Sequence, residues 1–141
     1  MVGPLLAHLE ELETAYSETL RQQASRHSED HDVYHQCLTF AAAADDAAAL
    51  IAPLRDRYDG PSDWTIPLPG EGTTLLEDLR SLYLLAYAVA VTWTMALQAA
   101  KALRDVELKD VAGTCHTEAE MQGTWFLTRI KTGAPQALVV Q

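Results

Sequence analysis

The sequence predicts an all-α fold: a four-helix bundle with one long crossover between its second and third helices. Two observations point there. Apolar residues recur at spacings of three and four along four separate segments, which lines them up on single helix faces. Helix breakers concentrate in one place, where Gly60, Pro61, Pro67, Pro69, Gly70 and Gly72 fall within "RDRYDGPSDWTIPLPGEG". The chain has 141 residues, 48% of them apolar, which is enough for one domain with a real core spanning 1–141.

The first helix is predicted from about Leu5 to Ala24, with Leu5, Leu9, Leu12, Tyr16 and Leu20 on its inner face and Pro4 suited to its first turn. Ser28 has the chemistry of an N-cap for the second, and Glu29 and Asp30 suit the positively polarised first turn. That helix runs to about Leu54 with the stripe Val33, Cys37, Phe40, Ala44, Ala48 and Ile51. The crossover occupies residues 55–73. Thr74 and Glu77 have capping-box spacing at the start of the third helix, which runs to about Leu103 on Leu75, Leu79, Leu82, Ala86, Val89, Trp93, Leu97 and Ala100. Asp105 is the expected N-cap of the fourth, whose stripe is Leu108, Val111, Cys115, Ala119, Gln122, Phe126 and Ile130. Gly133 and Pro135 are expected to end it, leaving a short tail, 133–141.

Short first and third links predict two antiparallel helical hairpins. The middle link is long for a compact domain. It either travels the length of the bundle, bringing the third helix in parallel to the second, or wraps the surface of an up-down bundle. Short, long, short is the order of the ferritin-like superfamily, which the chain resembles over its whole length in helix order. The stretches "HDVYHQC", "DLRSLYLLA" and "CHTEAEMQGTWFLTRIKTGAPQAL" also look like pieces of a small actinobacterial helical family. The resemblance implies a metal site, iron or zinc, built from a carboxylate on each of two helices and Glu-x-x-His on the other two. The positions that match in part are Glu13, Asp32 with His35 three residues on, and His116 with Glu120 in reversed order. The third helix departs from the pattern, having no Asp or Glu between Asp78 and Asp105.

The residues give their own candidates. His31 and His35 are one helical turn apart, a spacing that chelates a metal through two imidazoles and is equally that of a solvated helix face. Cys37 and Cys115 fall on core stripes, where a thiol packs as a small apolar group. Gln122 interrupts an apolar stripe and needs partners if buried, with Tyr or Thr hydroxyls or Glu13 as suppliers. His116 and Glu120 have the spacing of a surface pair.

The net charge is −10, with ten Lys and Arg against twenty Asp and Glu. No basic surface is available to neutralise phosphates, which argues against nucleic acid and against an anionic membrane as partners. Two cysteines without a paired motif, and an opening "MVGPLLAHLEEL" without a basic leader, predict a reduced, cytoplasmic protein. Residues 81–100, "SLYLLAYAVAVTWTMALQAA", carry no charge. Ser, Thr and Gln dilute them, so the reading is a helix apolar on more than one side rather than a membrane span. Leu84, Val91 and Met95 lie nearly opposite Val89 and Trp93 and need a cover. The crossover, through Trp64 and Ile66, is one candidate; a second copy of the chain is the other, making a homodimer through the third helix. The function expected is a non-catalytic interaction or scaffold module, the alternative a metal-binding bundle.

Overall fold

The computed structural model describes residues 1–68, 70 and 72–139. Four helices pack against one another: α1 (Val2–Arg26), α2 (His31–Ile51), α3 (Leu75–Leu103) and α4 (Val106–Leu138). A short 3-10 segment, Ala52–Asp56, extends α2, and no strand forms among the described residues. α1 packs mainly on α2 and α3 mainly on α4, while α1 also meets α3 and α2 meets α4.

The expected stripes form the core. Leu6, Leu9, Leu12, Tyr16 and Leu20 of α1 are buried against Val33, Cys37 and Phe40 of α2, Leu79, Leu82 and Trp93 of α3, and Leu108 and Phe126 of α4. The Phe40 and Phe126 rings meet edge to face, centroids 5.6 Å apart, which joins α2 to α4 in the geometry aromatic quadrupoles favour. On α2 the buried position is Ala47, and Ala48 is only partly covered.

Two networks tie the ends. At one end Asp105 caps α4 through the Leu108 N–H and also accepts from Tyr58 Oη at 2.7 Å and from Arg57. Gly3 lies so close to the Asp59 carbonyl that a Cβ there would overlap it, and Gly60, at φ 137°, packs on Pro4. At the other end the buried Asp78 carboxylate takes the Gly72 N–H at 3.0 Å and lies 2.7 Å from His27 Nε2, with Arg26 at 3.4 Å. Residues 57–74 therefore start beside the beginning of α1 and finish beside its end.

Three expectations need correction. Ser28 does not cap α2. The helix begins at His31 after Asp30, and neither residue makes a side-chain cap. His27 is committed to Asp78, and the Asp30 N–H bonds the His27 carbonyl, so residues 27–30 form a turn. Gly133 and Pro135 do not end α4, which continues to Leu138. The missing proline N–H falls in an exposed last turn open to solvent, so the usual cost of an interior proline is reduced. The second helix, expected to run to about Leu54, ends at Ile51, and a 3-10 turn with Pro53 in its first turn carries the chain to Asp56 while burying Leu54 in the core. Thr74 does cap α3, accepting from the Glu77 N–H, but Glu77 reaches back to Thr73 rather than to Thr74.

Candidate functional site

The described part of the connection between α2 and α3 touches α1 at Asp59 and Trp64. Trp64 stacks on His8 of α1 with ring centroids 5.4 Å apart, and Ile66 packs on the core from the same stretch. Leu84, Tyr87, Val91 and Met95 are left 51%, 59%, 42% and 39% exposed. Their spacings of three and four make one stripe along α3. Beside it a groove of about 320 Å³ runs between α3 and α4, lined by Tyr83, Tyr87, Val91, His116 and Leu127. Trp64 and Ile66, one of the two covers considered for this face, therefore leave it open.

The second cluster lies inside the bundle. Glu13 is 3% exposed and interrupts the apolar stripe of α1 between Leu9 and Tyr16. Its Oε2 accepts from Trp93 Nε1 of α3 at 3.0 Å. Tyr16 Oη donates to Gln122 Oε1 of α4 at 2.7 Å, and Gln122 Nε2 donates to Glu118 Oε1 at 3.0 Å. The buried amide therefore finds a Tyr hydroxyl, as expected of it, and Glu118 in place of Glu13.

Burial dominates the electrostatics here. Glu13 is pushed up from 4.5 to about 8, mainly by desolvation; the Trp93 hydrogen bond opposes the shift and the Glu118 charge adds to it. At neutral pH Glu13 is predominantly a neutral acid. Desolvation also raises Tyr16 well above its ordinary value, and it pushes both Cys37 and Cys115 up to about 12. Neither thiol is activated as a nucleophile. The cluster opens into a cleft of about 630 Å³ between α2 and α4, with Glu13 and Gln122 among its lining residues.

The four metal candidates are not brought together. Glu13 bonds Trp93 in the core, and Asp32 pairs with Arg129 at 2.8 Å near the end of α4. His35 is exposed on α2 with its ring against Tyr34. His116 faces Glu120 at 3.5 Å, the surface pair their spacing suggests. Among the described residues no group of three or more His, Cys, Asp or Glu is placed to hold a metal ion. Sequence reasoning missed Glu118 and the His27–Asp78 contact. Both left a signal, since Glu118 stands between Cys115 and Gln122 at helical spacing, and Asp78 is four residues before Leu82. Two helical stretches, His31–Asp56 and Leu75–Leu103, are long and apolar enough to cross a membrane, and less than half of the most apolar part of each is buried within the bundle.

No protein-family model, curated protein or solved structure matches the chain.

Proposed function

We propose that this chain is a non-catalytic helical interaction module that works as a homodimer, two copies meeting across the outer face of α3 and α4. The observation that carries this reading is the uncharged stripe Leu84, Tyr87, Val91 and Met95, open to solvent in the single chain. With Leu127 beside it, the exposed surface is on the order of 400 Å² per copy, a patch size that marks interaction sites. A second copy is the occupant the charge favours. A −10 chain repels its own copies over most of its surface, but no ionic group interrupts residues 81–100. Burying this patch on both copies is worth on the order of 20 kcal/mol gross, against an association cost of about 4–15 kcal/mol. A two-fold arrangement brings each stripe onto its equivalent.

The same reading takes the bundle as ferritin-like, with α3 parallel to α2. The end contacts support it, since the connection leaves α2 beside Gly3 and enters α3 beside Arg26 and His27. Two buried, unpaired thiols are consistent with a reducing, cytoplasmic setting.

Val91→Glu tests the interface by placing a charge in the patch, where it must be desolvated on both copies. The variant is expected to elute as a monomer with unchanged helix content, and elution at the wild-type position would sink the proposal. Elemental analysis tests the metal-binding alternative. No stoichiometric iron or zinc is expected, and one ion per chain would favour the metal protein.

A further inference from the structure

The cleft between α2 and α4 is not part of the proposed dimer face, and its construction is unlike that of a packing defect. Its α2 wall is made of Ala43, Ala44 and Ala47, and its α4 wall includes Gly113 and Ala119. Small side chains on both helices hold open a volume that larger ones would fill, and about 630 Å³ lies within the range of small-molecule sites. At the cleft stands Glu13, an acid 3% exposed that makes one hydrogen bond, from Trp93 to Oε2. Its other oxygen, Oε1, takes no hydrogen bond among the described residues. It is not one of the fully buried atoms left unsatisfied, which among the described residues are His8 Nδ1, Gln23 Oε1 and Arg55 Nε, so it borders the open space of the cleft.

The lining also sets the sign of charge. Glu13, Asp46 and Glu118 are its ionisable side chains besides Cys115, and no Lys, Arg or His is among them. Glu118 accepts from Gln122 through Oε1, which leaves Oε2 for a ligand. Leu50 and the alanines supply an apolar floor. An anion would meet the Asp46 and Glu118 carboxylates with no compensating cation, whereas an ammonium has three donors to offer Glu118 and Glu13, whose carboxyl, neutral on its own, gives up its proton to the solvent when a cation sits against it.

We propose that the cleft is a binding site for a small organic cation, a primary amine with an apolar body. The ammonium lies between Glu13 and Glu118, and the hydrocarbon part rests on Ala43, Ala47 and Leu50.

Calorimetric titration of the full chain at neutral pH with 2-phenylethylamine, 2-phenylethanol and 3-phenylpropionate tests it. The amine is expected to bind saturably at one site per chain, the alcohol at least about tenfold more weakly, and the carboxylate not at all. Glu118→Gln should weaken the amine by at least about tenfold and leave the alcohol unchanged. Ala47→Phe, which fills the cleft from its α2 wall, should abolish binding of both with the helix content intact. Failure of the amine to saturate at millimolar concentration, binding of the carboxylate as tight as the amine, or full amine affinity in Ala47→Phe would each overturn the proposal. Since Ala47 and Glu118 lie outside the α3 stripe, these outcomes are independent of dimer formation.

Discussion

Replacing Glu13 with Gln isolates the energetic consequence of burying a carboxyl in this core. Glu13 rises from 4.5 to about 8 on folding. Below pH 4.5 both states hold the proton and nothing is lost. Between 4.5 and 8 the unfolded chain releases the proton while the folded chain keeps it, so stability falls as pH rises. Above about 8 the loss is complete. At 1.36 kcal/mol per pH unit the full displacement is worth on the order of 5 kcal/mol. Water entering the adjacent cleft screens part of this, and we expect about 2–3 kcal/mol to be realised. Gln has the same shape, still accepts from Trp93, and does not titrate. The variant should match wild type within ~1 kcal/mol at pH 5 and exceed it by about 2–3 kcal/mol at pH 9. Urea unfolding followed by Trp fluorescence at pH 5, 7 and 9 measures the difference, and other titrating groups cancel between the two proteins. Parallel stability profiles from pH 5 to 9 would refute the reasoning, because they would mean that Glu13 ionises without penalty.

Tyr16→Phe leaves Gln122 Oε1 buried without its donor and should cost about 1–3 kcal/mol in the same unfolding assay. Gly3→Ala drives a methyl group into the Asp59 carbonyl and should lower stability by about 1–3 kcal/mol, the range for overpacking a close contact, read from the shift in melting temperature. Arg104 ends α3 in the left-handed region at φ 55°, so Arg104→Gly should raise the melting temperature, by the equivalent of ~1 kcal/mol.

The helices were legible because their stripes are long. Leu5 through Leu20, or Leu79 through Ala100, repeat the helical period over several turns, and the caps at Thr74 and Asp105 carry local chemistry that needs no tertiary partner. The ends that were misread depend on distant groups. Ser28 loses the cap because His27 is drawn to Asp78, fifty-one residues on, and no local pattern announces that contact. Pro135 is tolerated because its turn is exposed, a property of packing rather than of sequence. For the interior cluster, Gln122 stood out as a polar break in an apolar stripe, and Glu13 entered only as a metal position implied by the resemblance. That they pair with Trp93 and Tyr16, and not with each other, follows from how the four helices are rotated. The metal candidates scattered for the same reason, since one-turn spacing aligns residues on one helix but says nothing of which helix they face.

Sedimentation equilibrium of the wild-type chain over a range of concentrations, at physiological ionic strength, bears most directly on the proposed function. A homodimer is expected to give a mass approaching twice the 15.5 kDa of the chain as concentration rises into the micromolar range. A mass of 15.5 kDa that holds constant up to several hundred micromolar would contradict it, because Leu84, Tyr87, Val91 and Met95 would then remain in water with no second copy to cover them.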